Sequence, residues 1–165
     1  MPDITRPRFN VQVVLPAFMI TGQIEPVGPW LDFLNSRDKY ELVIQSARVF
    51  PIGAPPAAVP EHPQVCVTRS NVCLIVLLDS AAQQSVNMLK RTLPVISHIG
   101  PLVCRGEYHM GADAQLSTYF DDLVGNFFPL TNVDLFPTVA MPPALPRKAD
   151  LIIANRAQVQ VCYTL

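Results

Sequence analysis

The sequence predicts an all-β protein made of two tandem small β units, each carrying one short helical turn. Three observations lead there. The chain resembles itself at a spacing of about half its length, its apolar residues mostly alternate, and its 17 prolines punctuate short segments of a chain only 15 % charged. At 165 residues and 50 % apolar, it has ample material for a packed core, which excludes disorder as its ground state.

The self-similarity runs in order along the chain. Phe18–Ile24 recurs as Leu102–Tyr108, matching Gly22 to Gly106 at an offset of 84. Trp30, Phe33 and Leu34 recur as Leu116, Tyr119 and Phe120 at an offset of 86, which holds through Leu42/Phe128, Ile44/Leu130 and Phe50-Pro51/Phe136-Pro137. Pro55-Pro56 then matches Pro142-Pro143, and Arg69 matches Arg156, at 87. These small drifts are loop-length changes. The reading is a duplication, with units at residues 1–78 and 92–165 joined by a polar, partly helical linker at 79–91.

Each unit opens with a half-buried strand: Phe9, Val11, Val13 and Leu15 alternate in the first, and Leu93, Val95 and Ile99 are the looser counterparts. A second strand follows, where Gly22 and Gly106 predict a bulge or bend. The period then becomes helical. Trp30, Phe33 and Leu34, like Leu116, Tyr119 and Phe120, share one face of a single turn. A third strand is expected over about Tyr40–Phe50 and Phe127–Phe136. Proline, which lacks the N–H of a ladder, ends it at Pro51 and Pro137. Val65–Leu78 and Leu151–Leu165 read as terminal hairpins turning near Arg69–Asn71 and Asn155–Gln158. Five strands and one turn match a small SH3-like or Sm-like barrel in size and order, with a split β-barrel as the competing architecture.

Gly22, the turn Leu31-Asp32-Phe33-Leu34-Asn35 and Leu42-x-Ile44 together resemble a small bacterial domain family of unknown function. The second unit departs from that pattern, with Thr118 for the Asp and Asp121 for the Asn. The resemblance covers the two unit cores, implies a β-rich domain and brings no activity.

Charge narrows the function classes. The formal net charge is −1, and six basic and seven acidic residues before residue 82 face six and six after it. Nucleic-acid binding in the Sm-like manner is therefore disfavoured, because phosphate contacts need a basic face. The longest apolar run, Val72–Leu78, is far short of the ~20 residues of a membrane helix. With no apolar targeting run at Met1–Arg6, a cytoplasmic location is expected. Four cysteines, Cys66, Cys73, Cys104 and Cys162, lack any Cys-x-x-Cys pair and read as buried reduced thiols. A zinc site from Cys104, His98 and His109 is not expected, since Cys104 and His109 fall on opposite faces of one strand. No metal and no cofactor is expected.

Phosphate-loop, nucleophile-elbow and His-Glu-x-x-His motifs are absent. The best polar constellation is Arg105, Glu107 and His109, alternating on one strand face. Its counterparts, Thr21, Gln23 and Glu25, are polar too, which marks a solvated face. Trp30, matched by Leu116, reads as core. Arg69 and Arg156, at equivalent turns, are exposed positions that a partner could contact. The chain is accordingly expected to be a non-enzymatic interaction module that self-associates. The alternative is a small-ligand or cofactor-binding split barrel, with Arg105 and His109 anchoring a cleft between units.

Overall fold

A computed structural model describes residues 5–165; Met1–Ile4, part of the segment read above for a targeting run, lie outside the described residues. The chain forms β1 (Phe9–Val14), β2 (Phe18–Ile24), α1 (Trp30–Asn35), β3 (Glu41–Pro51), β4 (Glu61–Thr68) and β5 (Leu74–Leu77). After α2 (Ser80–Gln84) come β6 (Arg91–Ile99), β7 (Leu102–Met110), α3 (Leu116–Asp122), β8 (Phe127–Pro137), β9 (Lys148–Asn155) and β10 (Val159–Thr164). A 3-10 turn precedes the last strand of each half, at Arg69–Asn71 and Arg156–Gln158. The linker's helix is thus a short one at its start.

The ten strands of the described residues belong to one antiparallel sheet, in the order β10-β6-β7-β8-β9-β5-β1-β2-β3-β4, and over these residues the sheet is open. Each half contributes five neighbouring strands in the same order, and the halves are joined strand to strand by β5 and β9. The expected terminal hairpins do not form. β4 and β5 lie at opposite ends of their half, as do β9 and β10, and each 3-10 turn carries the chain across the end of the half rather than back along a neighbour. Local sequence resembles a hairpin there because both a tight turn and a 3-10 crossing need a short polar break between apolar runs.

The glycine bend is real, and it has a partner. One residue of β2, Gly22, faces two of β3, Ser46 and Ala47, since the register passes from Thr21↔Arg48 to Gln23↔Gln45. The second half repeats this between Arg105↔Asp134 and Glu107↔Thr131. The inserted residue adopts positive φ in both halves, 48° at Ser46 and 52° at Asn132. Such a bulge bends and twists the long third strand. A Cβ on Gly22 would lie 2.5 Å from Ile44 Cγ2 and 2.8 Å from the Gln45 carbonyl oxygen, so only glycine fits that crossing.

Two clusters form the core. The first gathers Val11, Val13, Trp30, Leu34, Leu42 and Ile44, and the second gathers Val95, Leu102, Tyr108, Tyr119, Phe128 and Leu130. The strands at the joint serve both. Ile75, Leu77, Leu151 and Ile153 face the first cluster, while Leu74, Val76, Ile152 and Ala154 face the second. That double burial explains the unbroken apolar runs Leu74–Leu77 and Leu151–Ala154, which would alternate on a sheet with one wet face.

Candidate functional site

The polar groups with the most built-in geometry sit where the halves meet. Asn35, at the end of α1, reaches β8: its Nδ2 donates to the Phe127 carbonyl at 3.1 Å, and its Oδ1 accepts from the Phe127 N–H at 2.8 Å. Asn155, fully buried, donates through Nδ2 to the Val72 carbonyl at 2.9 Å and accepts through Oδ1 from the Ala157 N–H. Gln158 donates to the Ser70 carbonyl at 2.8 Å, and Gln12 of β1 to the Ala144 carbonyl at 2.7 Å. Side-chain amides suit this role because each carries a donor and an acceptor and can stand in for a missing strand neighbour.

Arg69 points inward instead of offering itself to a partner, whereas Arg156 is half-buried and still lines the surface. The Arg69 side chain is 6 % exposed; its Nη1 donates to the Phe33 and Leu34 carbonyls at 2.6 and 3.0 Å, and its Nε to the Glu41 carbonyl at 3.1 Å. The guanidinium stacks 4.9 Å from the Phe33 ring centre and has no carboxylate partner among the described residues. Burial lowers its pKa, yet a guanidinium remains charged, stabilised by the carbonyls that end α1. Arg156 repeats the tie more openly, donating to the Phe120 carbonyl at 2.6 Å and to Asn126 Oδ1 at 3.0 Å.

Arg105, Glu107 and His109 do share one face of β7. Arg105 is exposed and Glu107 accepts from Asn132 Nδ2 at 2.8 Å. His109 has both ring nitrogens occupied, by the Leu89 carbonyl and the Thr131 hydroxyl, each at 2.7 Å. A carbonyl only accepts, so Nδ1 carries a proton, and the ring fastens the linker to the sheet. Among the described residues no three His, Cys, Asp or Glu side chains gather in a way that could hold a metal ion.

Two open depressions of about 430 Å³ each span the halves. One is mainly apolar, lined by Leu31, Met88, Tyr119, Val124 and Phe128 with His109 at its side. The other is polar and basic, with Arg37, Lys39 and Arg156 around Ser70 and Asn126. The cysteines divide. Cys73 and Cys104 are buried, with thiols pushed up to about 12 by burial, whereas Cys66 is exposed because β4 is an edge strand, and Cys162 on the other edge is half-buried.

Sequence reading missed Asn35, Asn155 and Gln158, whose partners lie more than 80 residues away. The Arg69/Arg156 match was the visible trace of the ties beside them. Comparison with protein-family models, curated proteins and solved structures returns no match. Among the described residues no helix is long and apolar enough to cross a membrane.

Proposed function

We propose that this chain is a non-enzymatic assembly module, built from two copies of one β unit and acting by self-association. The observation that carries the reading is the joint itself. One half completes its outer strand with an outer strand of the other, and among the described residues the same kind of strand is left unpaired at each end of the sheet. Open edges with free N–H and C=O groups are templates for pairing.

Duplication is supported by more than strand order. Both bulges fall at the same place, with Ser46 and Asn132 at positive φ, and both arginines grip the end of the preceding helix. Ion pairs also recur with their signs exchanged: Arg48–Glu61 on β3 and β4 becomes Asp134–Lys148 on β8 and β9. A fused pair of like units points back to an ancestral association between separate copies. Light scattering at tens of micromolar is the direct test. A mass of two or more chains is expected, and a single-chain mass would remove the reading.

A second reading rests on the basic depression. Arg37, Lys39 and Arg156 line it together with Ser70 and Asn126, a basic lining suited to a small anion rather than to the Arg105/His109 anchoring expected from sequence. Thermal stabilisation by inorganic pyrophosphate, lost in Arg156→Gln and Lys39→Gln variants, would support it. No shift at millimolar pyrophosphate would remove it.

A further inference from the structure

We infer that β10 of one copy pairs with β4 of a second copy in the register that β5 and β9 use inside the chain, setting Cys162 directly across from Cys66. This deepens the self-association reading by naming the surface and the partner.

The strand registers make the correspondence quantitative. Inside the chain, Leu74, Ile75 and Val76 face Ala154, Ile153 and Ile152. On the β1 and β6 ladders, Leu74 faces Val14 and Val161 faces His98, while Glu41↔Thr68 and Phe127↔Asn155 align β4 with β9. Both sets place β10 and β9 87 residues beyond β5 and β4. Carrying the internal joint across to the free edges therefore opposes Val161 to Val67, Cys162 to Cys66 and Tyr163 to Val65.

The side chains at those edges are prepared for cover. Val161 and Tyr163 are 54 % and 45 % exposed, yet their counterparts Leu74 and Val76 are fully buried in the core of the neighbouring half. Cys66 is exposed where its counterpart Ile153 is buried. The backbone agrees as well. The Asn155 N–H donates to the Cys73 carbonyl at 3.0 Å, so alternate residues of β9, Ile153 included, turn their N–H toward β5. By the same alternation the Cys66 N–H faces outward from β4. Pro63, which has no N–H, corresponds to Asp150 and falls outside the paired stretch.

One difference makes the contact between copies weaker than the internal joint. Asn35, which both donates to and accepts from Phe127, corresponds to Asp121, and Phe127 to Glu41. An aspartate keeps the acceptor and loses the donor. Because the joint is head to tail, each addition regenerates the same free edges, giving a ring if the rotation closes and a filament if it does not.

Two residues opposed in an antiparallel ladder have Cα atoms about 5.5 Å apart or less, within reach of a short bis-thiol reagent such as dibromobimane. The wild-type chain treated at tens of micromolar is expected to give cross-linked dimers and higher species on a denaturing gel. Cys66→Ser alone and Cys162→Ser alone should give none, and a mixture of the two should give dimer and nothing larger. Cross-linking of either single variant alone would instead show symmetric edge pairing and overturn the inference. So would an oligomer by light scattering that fails to cross-link in the wild type, while leaving self-association standing. A single-chain mass at this concentration removes both. Cys66→Pro, which deletes the outward N–H and leaves the β3 ladder intact, is expected to reduce the scattering mass to one chain with an unchanged far-UV spectrum. Retention of the wild-type oligomer by that variant would also overturn the inference.

Discussion

Asn35 holds Phe127 by both of its backbone polar groups, although 92 residues separate them in the chain. Removing the amide leaves a partly buried N–H and C=O without partners, a cost of about 1–3 kcal/mol. Asn35→Ala is expected to lower stability by that amount in urea unfolding. Asn35→Asp should cost at least as much at neutral pH, because a carboxylate then faces the Phe127 carbonyl oxygen.

Arg69 and Arg156 perform the same tie at different depths. Arg69→Ala should cost about 3 kcal/mol, since three carbonyls lose a charged donor in a dry site, and Arg69→Lys should not restore it, because one ammonium cannot span the fork. Arg156→Ala, more exposed and with two bonds, should cost about 1 kcal/mol. Equal effects in paired denaturation curves would show that burial does not set the difference.

At the bulges, Gly22→Ala forces a methyl against the Gln45 carbonyl and should destabilise by about 2 kcal/mol or more. Gly106→Ala meets Val133 Cγ2 at 3.0 Å, a side chain that can yield, and should cost less. Ser46→Gly should stabilise by up to about 1 kcal/mol by removing left-handed strain, whereas Asn132→Gly should gain little, because asparagine tolerates that conformation. Melting temperatures of the four variants give the ranking.

Trp30 is the chain's one tryptophan and lies wholly inside the first cluster, while Tyr108, Tyr119, Phe120 and Phe128 form an aromatic group in the second. Since β5 and β9 contribute to both, the halves are expected to unfold together. Tryptophan emission and tyrosine near-UV circular dichroism should give coincident urea midpoints. Separate midpoints would show that each half stands without the other.

Burial raises the Cys73 and Cys104 thiols from 9.0 to about 12. Below pH 9 both are protonated whether folded or not, and stability does not depend on them. Between 9 and 12 only the unfolded chain loses those protons, so stability falls as pH rises, by up to about 1.4 kcal/mol per pH unit for Cys104. Urea midpoints from pH 8 to 11 should decline, and Cys104→Ala should flatten the slope.

What could be read in the sequence was whatever a short window contains. The bulge showed at Gly22 and Gly106, and the helical face at Trp30, Phe33 and Leu34. The neighbours of β5 could not be read, because an apolar run such as Leu74–Leu77 shows that both faces are dry without naming the strand beside it. The polar joint stayed hidden for a similar reason: Asn35 and Asn155 pair with backbone groups, which carry no side-chain signature. Arg105, Glu107 and His109 alternate on β7, but the partners of Glu107 and His109, which are Thr131, Asn132 and Leu89, come from β8 and the linker.

The joint also sets an order of events during synthesis. Strand β5 leaves the ribosome more than 70 residues before β9, its partner on one side, so a nascent first half carries Leu74–Leu77 as an uncovered apolar edge until residues 148–155 follow. Such an edge is an aggregation hazard on polysomes, where neighbouring nascent chains expose the same strand. The interval from α2 to β9 is therefore the stretch of synthesis over which that edge waits for its cover.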